Sequence, residues 1–253
     1  MEIGGLQKLT LIDFPGKLAC TVFLIGCPFR CPFCHNSELV LPELIAKQPR
    51  ISQKEFFNFL KEKKGLLEGV CLTGGEPTAN SDLPEFCKEI KEMGFLVKLD
   101  TDGYDPEMMK KLIDPPPFLR PKSGGGLIDY LALDVKAPKE KYGRLIGIEN
   151  EVFVEKIVKN IERSVEILKE GKVDYEFRTT VVPTLLEKED ILKIGKWLSS
   201  LSPGQKLPKY YLQNFRPEKT LDPSFEKIKP YPQEYLLEIQ KAISPFFEVC
   251  QVR

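Results

Sequence analysis

Short apolar runs alternate with amphipathic stretches along most of this chain, and the two periods mark out strands and helices in turn. Residues 18–25 (LACTVFLI) are apolar and partly β-branched, which predicts a buried strand. Further strands are expected at 70–73, 95–100, 128–135, 173–182 and 210–215, with a closing one at 246–252. Between them apolar residues recur at helical spacing. The stretch 152–170 sets Val154, Ile157, Val158, Ile161, Val165 and Leu168 on one stripe before Gly171, predicting a long helix that stops at a glycine. The stretch 52–64 opens with Ser52 and carries Glu55 three residues on, the pattern of a capping box, with Phe56, Phe59 and Leu60 on one face. Helices are also expected over 82–93, ended by Gly94, and over 106–113, 190–198 and 233–243.

Strands separated by helices point to parallel βαβ units. Six such units suit an α/β fold of the partial (β/α)6, TIM-like barrel kind better than a closed eight-unit barrel, which needs more residues or shorter loops. Sites in such folds form at the C-terminal ends of strands. The polar clusters of this sequence fall there, at 27–34, 74–76, 100–103, 134–136 and 213–216. One stretch breaks the rhythm: 114–126 (DPPPFLRPKSGGG) is too rich in proline and glycine for a helix or strand. It is expected to be a surface loop, or else a lid that docks a partner. No internal repeat is visible, so a single domain over 1–253 is expected.

Composition narrows the class without naming a chemistry. A chain of 253 residues, 42% apolar and 29% charged, buries enough surface to fold without disulfides. Its 37 basic and 37 acidic residues balance, so no global field draws nucleic acid or an anionic membrane. No apolar run approaches the roughly 18 residues of a membrane helix, and the N-terminus lacks the basic and apolar regions of a secretory signal. Seven cysteines, an odd number with three bunched together, favour a reducing compartment, and the cytoplasm is expected.

Those three, in Cys27-Pro-Phe-Arg-Cys31-Pro-Phe-Cys34, put a C-x₃-C-x₂-C run on one short loop. Three thiolates are one fewer than a [4Fe–4S] cluster ordinarily takes from protein, which leaves one iron open to another ligand. Zinc is the alternative occupant, but structural zinc sites are usually built from two separated ligand pairs, and no second pair exists. Cys20, Cys71, Cys87 and Cys250 stand singly in or beside apolar segments, as ordinary small buried thiols do. His35 is the only histidine, which makes a histidine-based acid–base pair or triad improbable and suits a role supporting the cysteine loop.

The cysteine run after a first strand, with Phe33 before its last cysteine and Thr73-Gly74-Gly75-Glu76-Pro77 after the second strand, resembles the radical S-adenosylmethionine (SAM) superfamily. Residues 4–8 (GGLQK), 12–17 (IDFPGK) and Cys34-His35-Asn36 are similar to glycyl-radical-enzyme activating enzymes. The strings 99–103 (LDTDG), 133–138 (LDVKAP), 175–184 (YEFRTTVVPT) and 211–223 (YLQNFRPEKTLDP) resemble the branch named anaerobic ribonucleoside-triphosphate reductase activating protein, kin of pyruvate formate-lyase activases.

The resemblance implies that Cys27, Cys31 and Cys34 hold one [4Fe–4S] cluster and that SAM chelates its open iron. Reductive cleavage then yields a 5′-deoxyadenosyl radical, which takes a hydrogen from a glycine Cα of a partner glycyl radical enzyme. It further implies that Gly74, Gly75 and Glu76 receive the methionine ammonium, that Phe33 lies beside the adenine, and that Lys136 and Arg178 contact the methionine carboxylate. Asp100, Thr101 and Asp134 match positions that bind a monovalent cation near the cofactor; Asp100 and Thr101 are alternatively ribose contacts or a strand end. Asp102 stands where asparagine is commoner in the family, and Gln213, Asn214 and Arg216 lie in a segment that elsewhere contacts adenosine. A low-potential donor such as flavodoxin or ferredoxin would supply the electron. The competing readings are a radical enzyme acting on a small molecule or RNA, an activase of a pyruvate formate-lyase-like enzyme, an electron carrier, and a zinc-stabilised interaction module.

Overall fold

A computed structural model describes residues 1–253, which fall into two compact units. The first comprises residues 1–28, 38–132 and 171–174. It opens with β1 (Ile3–Thr10) and β2 (Ala19–Leu24), which pair antiparallel. Short helices α1 (Ser37–Val40) and α2 (Pro42–Ile45) lead to α3 (Gln53–Glu62), then β3 (Gly69–Gly74), α4 (Leu83–Glu92), β4 (Leu96–Thr101) and α5 (Pro106–Ile113). β2 pairs in parallel with β3, and β3 with β4. β5 (Tyr130–Asp134) carries the chain out of this unit.

The second unit holds α6 (Tyr142–Ile146), α7 (Glu151–Lys169), β6 (Asp174–Val181), α8 (Lys188–Ser200), β7 (Leu207–Asn214), α9 (Gln233–Ile243) and β8 (Phe247–Val252). Here β6, β7 and β8 pair in parallel. In sheet order the strands simply follow chain order, β1 to β8, which is the succession that repeated βα units build.

The expected elements are present with ends shifted by no more than three residues, the largest shift being at the start of β7. The capping box of α3 forms: the Glu55 N–H donates to Ser52 Oγ, and the Ser52 N–H donates back to Glu55 Oε2. The α3 and α4 aromatics Phe56, Phe57 and Phe86 then pack together with tilted rings, the two closest 5.3 Å apart. Residues 114–126 contain no helix or strand. Four elements lie outside the sequence expectation: β1, the short helices α1 and α2, and α6. β1 escapes because Ile3–Thr10 carries Gly4, Gly5, Gln7 and Lys8 and buries only its end residues, so neither alternation nor apolar run marks it. α6 is a single short turn of helix whose sequence contains a glycine, below the length at which periodicity shows.

Leu24, the last residue of β2, lies level in the parallel register with Gly74, the last residue of β3. The segment entering the cysteine loop and the glycine turn therefore leave the sheet side by side. No helix is long and apolar enough to cross a membrane.

Candidate functional site

In the first unit the backbone builds the site's floor. The Gly75 N–H donates to Leu24 O at 2.9 Å, and the Glu76 N–H donates to Gly26 O at 2.8 Å. A Cβ on Gly75 would stand 2.1 Å from Gly26 O, and one on Gly74, whose φ is +119°, would stand 2.3 Å from Leu24 N. Both contacts are with backbone, which cannot give way, so only glycine lets this turn close on the residues just before Cys27.

Glu76 is fully buried and gathers four donors from its own unit. Its Oε1 accepts from Thr78 N (2.9 Å), Thr78 Oγ1 (2.6 Å) and Thr101 Oγ1 (2.7 Å), and its Oε2 accepts from Asp102 N (2.6 Å). Burial and the Asp102 carboxylate push its carboxyl pKa up to about 7, against those hydrogen bonds. The carboxylate thus ties the glycine turn after β3 to the end of β4. On β4 itself the buried Lys98 ammonium is paired with Asp100, and Thr101 Oγ1 accepts the Gly103 N–H at 3.1 Å.

In the second unit the chain from Phe29 to Ser37 is held from several sides. The Cys34 N–H donates to Cys31 O at 3.0 Å, a turn that brings these two cysteines together, with Phe33 buried between them. The Arg30 N–H donates to Ile146 O at 2.8 Å, at the end of α6. The Asp222 N–H donates to Pro32 O at 2.9 Å, His35 Nδ1 lies 2.8 Å from Glu218 O, and the His35 ring stacks near Phe215. His35 is thus engaged with the segment after β7.

The second unit also carries a compact charge cluster. Arg178 Nε donates to Asp134 Oδ1 at 2.7 Å, and Lys136 Nζ to Asp134 Oδ2 at 3.1 Å. The Val135 N–H donates to Arg178 O at 2.9 Å, so backbone pairing fixes which side chains meet. Burial pushes the Asp134 carboxyl up, but the Arg178 and Lys136 charges outweigh it and hold the group down at about 2. Two cations thus converge on one anion through charge-assisted hydrogen bonds.

Gly74, Gly75, Glu76 and Thr101 thus share one network, with Asp100 at its edge, while Lys136 and Arg178 meet at Asp134. At the end of β7, Asn214 donates to Tyr231 O (2.8 Å) and keeps a buried Oδ1 without a partner, whereas Arg216 beyond it is exposed. Sequence reasoning missed Thr78 and Lys98. A threonine two residues after a buried acid and a lysine inside an apolar strand were the available signals. No three His, Cys, Asp or Glu side chains converge as they would around a single ion. The assignment of Cys27, Cys31 and Cys34 as ligands therefore stands on their spacing and soft sulfur chemistry, which fits an iron–sulfur cluster.

Residues 21–198 match the radical SAM superfamily. Over 253 aligned residues, 99% of this chain and 95% of the relative, the chain is 31% identical to a Methanocaldococcus jannaschii protein provisionally named glycyl-radical enzyme activating enzyme. It is 27% identical to the pyruvate formate-lyase-activating enzyme of Clostridium pasteurianum, over 98% of both chains. Among solved structures, a radical SAM methyltransferase from Sphaerobacter thermophilus superposes with a TM-score of 0.65 at 15% identity, covering 97% of this chain and 68% of the other. That last likeness is one of fold.

Proposed function

This chain belongs to the radical SAM superfamily, and from that premise we propose that it activates an anaerobic ribonucleoside-triphosphate reductase by installing its glycyl radical. The broader activity, that of a radical SAM activase of glycyl-radical enzymes, is the one its relatives' names carry. One observation supports it above the others: the likeness to an activating enzyme runs through nearly the whole chain and takes in both units. The choice of reductase rests on the sequence strings at 99–103, 133–138, 175–184 and 211–223.

When bound, a [4Fe–4S] cluster and SAM supply one-electron cleavage of the sulfonium and removal of a glycine Cα hydrogen. The protein's part is orientation. Cys27, Cys31 and Cys34 would hold three irons and leave the fourth for SAM. The Gly74–Gly75 backbone, locked by Glu76, would receive the methionine ammonium without side chains in the way. Lys136 and Arg178, sharing Asp134, would receive the methionine carboxylate, and the buried Phe33 would line the adenine. We read residues 1–253 as one catalytic domain, with a flavodoxin or ferredoxin as the electron source.

The test is anaerobic incubation of the reconstituted chain with SAM, a reductant and each candidate partner, followed by electron paramagnetic resonance. A glycyl doublet on the reductase is the expected result. The likeness to the C. pasteurianum enzyme favours a second partner, a pyruvate formate-lyase-like enzyme. A doublet there and none on the reductase would move the assignment to that partner. Turnover of a small molecule with no doublet on any partner would overturn the activase reading.

A further inference from the structure

The family resemblance assigns Asp100, Thr101 and Asp134 to a monovalent cation, yet each of them already has protein partners. Asp134 is bonded by Arg178 (2.7 Å) and Lys136 (3.1 Å) within the second unit. Thr101 donates its hydroxyl to Glu76 (2.7 Å) and accepts the Gly103 N–H (3.1 Å) within the first. Asp100 is paired with Lys98, also within the first.

Lys98 is the unexpected member. It lies two residues before Asp100 on β4, so the two side chains leave the same face of the strand. It is 1% exposed, and a lysine is almost never so buried unless paired. Across the sheet in register stands Cys71, whose sulfur is 3.9 Å from Nζ, too weak an acceptor to hold an ammonium on its own. The Asp100 carboxylate is the partner that Lys98 meets inside the protein.

We infer that Lys98 is a built-in cation for Asp100, a positioning residue that lets this chain bind SAM without added sodium or potassium. The inference rests on the proposed cofactor role of these residues. Within the first unit Lys98 already supplies Asp100 with an opposite charge, without a mobile ion. A mobile alkali ion would have to displace a tethered ammonium from a charge-assisted hydrogen bond, with no gain in charge.

The experiment measures SAM affinity of the reconstituted full chain in tetramethylammonium, sodium and potassium chloride at one ionic strength. The wild-type dissociation constants should agree within about twofold; a tightening of about tenfold or more by sodium or potassium overturns the inference. Lys98→Met keeps the apolar stem and removes the charge. It should weaken binding about tenfold in tetramethylammonium and recover most of the loss in an alkali salt. Binding equal to wild type without alkali ions, or a loss that no alkali ion relieves, would make Lys98 merely structural and overturn the inference. SAM binding in no salt would count against the cofactor reading alone. In that case, or where the variant fails to fold, thallium-205 magnetic resonance of the wild-type chain decides. No bound thallium supports the built-in cation, and a stoichiometric bound signal abolished by Asp100→Asn overturns it.

Discussion

Thr184, an exposed β-branched residue, holds a φ of +73° in the turn after β6, where Leu185 and Leu186 both donate to Val182 O. The left-handed region costs an L-residue about 1–2 kcal/mol, and a β-branched one gains nothing there in exchange. Thr184→Gly removes that strain and loses no buried contact. It should stabilise the protein by about 1 kcal/mol and raise the thermal midpoint by about 3 °C, part of the gain being offset by the entropy of the unfolded glycine. An unchanged or lower midpoint would show that the turn is not strained. Asp134 gives a pH-dependent counterpart. Its carboxyl is held at about 2 in the folded chain against an ordinary 3.8. A depressed folded value stabilises above the unfolded one and ceases to do so as the pH falls, so this stabilisation is full above about pH 4 and lost toward pH 2. At neutral pH it amounts to about 2 kcal/mol. Asp134→Asn should lower stability by about that much at pH 7, and the gap to wild type should close as both are titrated toward pH 2 in chemical denaturation. At this scale the sequence showed the charged groups but not their pairing. Lys136 and Arg178 read as ligand contacts because nothing in one dimension says that Asp134 lies between them, and Lys98 read as one polar residue inside a strand.

A single helical turn, α6, decides how the cysteine segment of the second unit is held. Its C-terminal Ile146 carbonyl accepts the Arg30 N–H, and the next residue, Gly147, caps it with a φ of +67°. A Cβ on Gly147 would stand 2.1 Å from Arg30 O, a backbone atom four residues from Cys34 and one from Cys31. Gly147→Ala must therefore unwind the cap or push the Arg30 peptide away. The substitution leaves α7, α8 and α9 untouched, so far-ultraviolet circular dichroism should stay close to wild type. The expected loss is in the cluster: iron and sulfide bound after anaerobic reconstitution should fall by about half or more, the misplacement of a ligand acting directly on metal uptake. Full iron content in a folded Gly147→Ala chain would show that this brace does not govern the loop. The long elements were legible from the sequence because α3, α7 and α9 repeat their apolar residues over several turns, and α3 announces its start with Ser52 and Glu55. α6 was not, since Tyr142–Ile146 is shorter than two helical turns and its role comes from a contact more than a hundred residues away in the chain.

Across the whole molecule the seven cysteines separate by burial. Cys20, Cys71 and Cys87 have no exposed surface, whereas Cys27, Cys34 and Cys250 are partly exposed and Cys31 lies between these groups. Burial pushes the Cys20 thiol up to about 12 and raises that of Cys87, where the Asp129 and Glu85 charges add to the effect. The Cys250 thiol is raised to about 11 by burial alone. Since the thiolate is the nucleophile, access and acidity act in the same direction. The apolar runs made the burial of Cys20, Cys71 and Cys87 readable in advance, whereas Cys250, expected to be buried with them, is partly exposed in the closing strand β8. What the sequence could not show is the antiparallel β1, which covers β2 and its Cys20 from the side opposite β3. Native alkylation with iodoacetamide at pH 8, followed by mass spectrometry, tests the division. In the cluster-free chain Cys27 and Cys34 should label first and Cys31 and Cys250 more slowly, with Cys20, Cys71 and Cys87 silent until denaturant is added. Reconstitution with iron and sulfide should then protect Cys27, Cys31 and Cys34 together and leave Cys250 unaffected, because metal-bound thiolates are withdrawn as a set. Protection of only two of the three, or of a core cysteine with them, would show that the cluster is held by a different set of ligands.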